Sequence, residues 1–120
     1  MNIITWNVRG LNDTIKRKEV RNLIRKQNIT VLDILETRMR DFQRDKVSKD
    51  CFGNDWSFFH NSDGQKSSIW VGWNKNLVEV KKLYDNKQVI MVEIILRETQ
   101  VSYYFAAVYG SNEPSIRKLI

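Results

Sequence analysis

Two apolar runs flank one amphipathic, basic segment at the start of the chain, and this order limits the fold more than anything after it. Residues 2–8 contain Ile3, Ile4, Trp6 and Val8 and read as a buried strand. Asn12, Asp13 and Thr14 then offer helix-capping side chains. From Ile15 to Gln27 the apolar residues Ile15, Val20, Leu23 and Ile24 recur at helical spacing, with Lys16, Arg17, Lys18, Arg21, Arg25 and Lys26 on the other face. Such a charged face is usually solvated, and exposure is the simpler expectation for it. Asn28 stops the helix, and Ile29 to Leu35 is the near-continuous apolar run of a strand buried on both faces. Strand, helix, strand predicts a parallel pair whose carboxyl ends share an edge, where open α/β sheets bind ligands. Asn7 closes the first strand and Glu36 the second.

The pattern then changes. Arg38 to Cys51, with Met39, Phe42, Val47 and Cys51 suitably spaced, predicts a short helix. Beyond it Trp56–His60, Ser68–Trp73, Leu77–Tyr84, Val89–Leu96 and Val101–Tyr109 are β-rich and separated by Asn-, Asp- and Gly-bearing turns, which suggests an antiparallel meander. Gly110 to Pro114 break the last strand, and Ser115 to Ile120 start a helix. No repeat or linker divides the chain, so one α/β (α+β) domain is expected over residues 1–120. A meander needs its other face covered, and the chain reads as the front part of a larger sandwich.

Composition narrows the chemistry. One cysteine, Cys51, and one histidine, His60, exclude an internal disulfide and a zinc site built by the chain alone. A metal would sit on oxygen ligands, the habit of Mg²⁺, Mn²⁺ or Ca²⁺. The net charge of +6 favours a polyanionic partner such as nucleic acid. No apolar run is long enough for a transmembrane helix and no signal-peptide layout opens the chain, so an intracellular, non-membrane location is expected.

Glu36, directly after a buried strand, suits a divalent cation, or simply a pairing with Arg38. Asn7 can serve the same edge or form a turn before Gly10. Tyr109 can reach a phosphate or pack a sheet end, and Asn112 can cap the last helix. His60 has no carboxylate beside it to orient it and reads as structural. Trp56, Trp70 and Trp73 read as core, and Cys51 as a buried thiol. Asp33 interrupts an apolar run, on the face opposite Glu36 if the strand alternates. It needs a partner there, or else it damages the fold.

Together "TWNVRGLN", "LDILETR", "SSIWVGWN" and "AAVYGSNEP" resemble the endonuclease/exonuclease/phosphatase family. With "IKRKEVRNLIRKQNI" and "DWSFFHNSDG" the likeness is greatest to the amino-terminal half of plant LINE-type (non-LTR) retrotransposon endonuclease domains. The resemblance implies a four-layer α/β sandwich with two central sheets, here lacking its second half, and Mg²⁺- or Mn²⁺-dependent cleavage of DNA phosphodiester bonds. By that resemblance Glu36 and Asn7 are the metal-binding residues, Asn7, Glu36 and Tyr109 the catalytic set, and Arg9 and Asn112 substrate-binding residues. A nuclear location follows if the protein is functional.

The family's later Asp-x-Asn and Asp-His motifs have no counterpart in the chain. It is therefore expected to be inactive alone and to depend on a carboxyl-terminal half or a reverse transcriptase domain of a full-length element. Asp33, where the resemblance leads one to expect an apolar or small residue, and Ser67-Ser68 read as drift. The competing readings are a non-catalytic nucleic-acid-binding remnant that uses the basic helix, another phosphoesterase of the same fold, and a pseudogene product that does not fold stably.

Overall fold

The computed structural model describes residues 1–61 and 66–109. Its elements are β1 (Ile3–Asn7), α1 (Thr14–Lys26), β2 (Val31–Arg40), a 3₁₀ turn (Asp41–Gln43), α2 (Arg44–Phe52), β3 (Trp56–His60), β4 (Lys66–Asn74), β5 (Val78–Asp85), β6 (Val89–Leu96) and β7 (Ser102–Val108). β1 and β2 are parallel, as the opening pattern predicts, with Thr5 opposite Asp33 and Asn7 opposite Leu35. Asp13 caps α1 by accepting the Ile15 N–H at 2.8 Å.

Period-two alternation on the first sheet (order β1-β2-β4-β3) divides its side chains between two cores. Leu32, Ile34, Trp56 and Trp70 face α1 and α2 and pack with Val20, Val47, Cys51 and Phe52. Val31, Ile69, Val71 and Trp73 face the second sheet (β5-β6-β7) and pack with Val78, Val80, Ile90, Val92, Ile94 and Ala107. The described residues thus form three layers: helices, sheet, sheet.

Several expectations change. β3 and β4 do not join one long meander. β4 instead pairs antiparallel with β2, because its Trp70 and Ile69/Val71 suit a central strand with two covered faces. Only β5–β7 form the meander. The expected helix from Arg38 starts later, because β2 runs on to Arg40 and Phe42 is left 81% exposed. Ile15 is exposed at the first turn of α1 and does not belong to its buried face. The helix expected at Ser115 to Ile120 lies outside the described residues. Trp56, Trp70, Trp73 and Cys51 are buried as expected, and burial pushes the Cys51 thiol up to about 12.

Candidate active site

The segments after β1 and within β2 are stitched together by backbone. The N–H groups of Val8, Gly10 and Leu11 donate to the carbonyls of Leu35, Glu36 and Thr37 at 3.0, 2.7 and 2.9 Å. Left-handed geometry makes this possible, at Arg9 (φ 56°) and Gly10 (φ 102°) on one side and at Glu36 (φ 59°) and Arg38 (φ 52°) on the other. Non-glycine residues there carry strain that the surroundings must hold. β2 bulges between Leu35 and Met39, and the buried Thr37 hydroxyl pins the bulge by donating to the Ser67 carbonyl at 2.9 Å.

α1 holds the first loop from below. The Lys16 ammonium donates to the Val8 and Arg9 carbonyls. The Arg17 guanidinium donates to the Leu11 and Asn12 carbonyls at 2.8 and 3.2 Å, and Arg21 donates to the Asp50 carbonyl at 2.8 Å. Half of the basic face expected to be solvated is therefore committed to orphan carbonyls.

Asn7 and Tyr109 meet as lining residues of one cleft between the sheets, about 380 Å³, shared with Thr5, Asp33, Leu35, Phe105, Ala106 and Val108. The Tyr109 N–H donates to the Gln88 carbonyl at 2.8 Å, which fixes the chain just after β7. Glu36 is not among the cleft's lining residues. Its side chain, 16% exposed, forms an ion pair with Arg38. Arg9 is exposed, and its side chain pairs with none of the described residues. Asn112 lies outside the described residues. His60 sits on β3, at the edge of the sheet away from β1, with Nδ1 3.0 Å from the Asn61 carbonyl; its structural reading stands.

Sequence reasoning missed Thr5 and the setting of Asp33. Asp33 is 3% exposed, accepts the Thr5 hydroxyl at 3.2 Å through Oδ2, and has no partner for Oδ1 among the described residues. Burial raises its carboxyl to about 7 despite the Thr5 bond. The usable signal was parity: Thr5 and Asn7 on β1, and Asp33 and Leu35 on β2, fall on one face.

No family model and no curated protein matches the chain. Solved structures do. An AP endonuclease from Leishmania major superposes with a TM-score of 0.68 at 16% identity over 98% of this chain. The endonuclease domain of TRAS1, a telomere-specific non-LTR retrotransposon, gives 0.67 at 11% over 98%. A mannosyl-6-phosphatase from Bacteroides thetaiotaomicron gives 0.62 at 8% over 87%. The chain has the endonuclease/exonuclease/phosphatase fold. It spans between 42% and 49% of the length of these structures. Within the endonuclease/exonuclease/phosphatase fold, the described residues provide two sheets and the two helices on one side. Among them no helix is long and apolar enough to cross a membrane.

Proposed function

We propose that residues 1–120 are the amino-terminal portion of one Mg²⁺-dependent (or Mn²⁺-dependent) DNA endonuclease domain of the plant LINE retrotransposon type. The observation that carries this reading is the convergence of Asn7 and Tyr109, from the ends of β1 and β7, on one inter-sheet cleft in a fold shared with nucleases and phosphatases. The net charge of +6 suits a polyanionic substrate.

Glu36 and Asn7 would hold the metal. Both offer oxygen, and Mg²⁺ is commonly bound through one or two carboxylates while keeping several waters. The Glu36 carboxylate already holds one cationic partner, Arg38, in a largely enclosed position. Glu36 supplies one carboxylate and Asn7, which lines the cleft, one amide oxygen, a hard-oxygen pair whose chemistry suits an ion that keeps most of its waters. Once bound, the ion supplies Lewis-acid stabilisation of phosphoryl charge.

The chain's own groups do the rest of what it can do. Asn7 and Tyr109, which line one cleft, would donate to phosphoryl oxygens. Arg9, and Asn112 beyond the described residues, would hold the nucleic-acid backbone. The later motifs that by the resemblance would activate the attacking water have no counterpart in residues 1–120. Cleavage therefore requires a second polypeptide portion, the carboxyl-terminal half or a neighbouring reverse transcriptase domain, and the site of action would be the nucleus.

The test is nicking of supercoiled plasmid in Mg²⁺ beside salt-dependent plasmid binding, for the chain and for Glu36→Ala. Salt-sensitive binding without nicking supports the reading. Nicking lost in Glu36→Ala keeps the site assignment and overturns the need for a second portion. Neither binding nor nicking overturns the proposal.

A further inference from the structure

Lys16, Arg17 and Arg21 on α1 all donate to backbone carbonyls. Arg25 lies one turn beyond Arg21 on the same helix face, and its side chain pairs with none of the described residues. The same holds for Lys49, the basic residue in the last turn of α2. Arg21, Arg25 and Lys49 nevertheless line one cleft of about 500 Å³, within the roughly 300–1,000 Å³ usual for small-molecule sites. The Arg21 bond to the Asp50 carbonyl, at 2.8 Å, ties the two helices together across it.

This cleft is remote from Asn7 and Tyr109. It shares no lining residue with theirs. Asn28 and Ile29 place it before β2, whereas Asn7 and Glu36 lie at the other end of the parallel pair. Its walls come from α1, α2, the turn before β2, the start of β3 and the end of β4, and none from β1, so an open β1 edge does not create it.

A cation in a last helical turn can simply complement the helix dipole. That account does not explain what else lines the cleft. Beside the three cations stand the side-chain amides of Asn28 and Asn54, one carboxylate, Asp55, and apolar wall from Ile24 and Trp56. Asp55 forms no ion pair with another described residue, although it borders the same space as Arg25 and Lys49. These groups complement one chemical unit. Guanidinium and ammonium groups hold a phosphate. Amides pair with the edges of bases, and a carboxylate accepts from an exocyclic amino group or a sugar hydroxyl. Apolar wall suits the face of a base. A bare inorganic anion would use the cations alone and be repelled by Asp55.

We propose that this cleft binds a nucleoside 5′-phosphate unit, free or at the end of a single strand, with Arg21, Arg25 and Lys49 on the phosphate and Asp55, Asn28 and Asn54 on the base or sugar. The inference does not rest on nuclease activity.

The probes are dAMP, deoxyadenosine, inorganic phosphate and 5′-phosphorylated oligo(dA), each titrated in EDTA into the ¹⁵N-labelled chain. Binding is read from amide shifts of Arg25, Asn28, Lys49 and Asn54. Saturable shifts are expected there with dAMP at a Kd below about 1 mM, and at least about tenfold tighter than with deoxyadenosine or phosphate. Arg25→Met and Lys49→Met should each weaken dAMP by about fivefold or more. Both residues are exposed, so neither change should disturb folding. Lys18→Met, on α1 but outside the cleft, should leave dAMP binding unchanged. The oligonucleotide names the source: at least about tenfold tighter binding than dAMP at the same amides assigns the cleft to a strand end, and equal affinity assigns it to the free nucleotide. Either result supports the proposal. Phosphate binding as tightly as dAMP would overturn it, as would an equal loss in Lys18→Met, shifts confined to the residues around Asn7 and Tyr109, or no saturable shift up to about 20 mM, the weak limit of measurable affinity.

Discussion

Glu36 and Arg38 form an ion pair two residues apart on β2, and both have left-handed backbones at φ 59° and 52°. The Arg38 side chain is 62% exposed, so the pair is screened, and exposed pairs of this kind contribute up to about 1 kcal/mol. In the proposed metal site the guanidinium would compete with a divalent cation for the same carboxylate. Arg38→Met is expected to tighten Mn²⁺ binding by about two- to fivefold, and Glu36→Ala to abolish it. Water-proton relaxation measures both without any activity assay. Weaker binding in Arg38→Met would show that the arginine supports the site.

Asp33 makes stability depend on pH in an unusual direction. Its carboxyl is raised from 3.8 to about 7 by burial, so the folded state holds a proton that the unfolded state releases. The stabilisation is fully present below about pH 4 and is lost as pH rises through about 7. Such a shift corresponds to a few kcal/mol, about 4 at most. Urea denaturation between pH 4 and 8.5 should show this decline, superimposed on the other groups. Asn at position 33 should remove it, leaving Asp33→Asn more stable than wild type at pH 8 but not at pH 4. Equal slopes for the two proteins would mean that Asp33 is paired in solution.

The parallel opening was legible because Ile3, Ile4 and Trp6, the α1 stripe of Val20, Leu23 and Ile24, and the Ile29–Leu35 run each carry a strong period. The separation of β3 and β4 from the meander was not legible, because alternation such as that of Ile69, Trp70 and Val71 says which faces are covered and not by which sheet. The bulge at Glu36 and Arg38 was hidden for another reason. Neither residue is one that advertises a left-handed backbone, and the conformation is imposed by hydrogen bonds from Gly10 and Leu11. The same holds for Lys16 and Arg17. A basic stripe looks solvated until the loop whose carbonyls it serves is in place.

Gly72 on β4 lies under the Phe52 ring. A Cβ there would meet Phe52 Cε1 and Cζ at 2.8 Å. The ring cannot readily retreat, because it stacks on Trp56 at 5.8 Å and packs against Trp70 at 6.2 Å. Gly72→Ala is expected to destabilise the chain by about 1–3 kcal/mol through overpacking, read from the urea midpoint. The double variant with Phe52→Leu should recover part of the loss. Strict additivity of the two changes would show that the contact does not exist.

Arg17 separates a structural basic residue from a solvated one. Its side chain is 12% exposed and serves the Leu11 and Asn12 carbonyls as well as Asp50 at 3.4 Å. Met keeps the stem and removes every donor, leaving at least one enclosed carbonyl without a partner. The expected cost is about 1–3 kcal/mol. The loss should be local as well as global: Leu11 and Gly10, whose N–H groups tie the first loop to Thr37 and Glu36, should exchange their amide protons faster. Lys18, exposed on the same helix, is the control, and Lys18→Met should change stability by no more than about 0.5 kcal/mol. Equal effects at the two positions would return the whole basic face of α1 to solvent or to nucleic acid, and would leave the loop around Asn7 held by its backbone bonds alone.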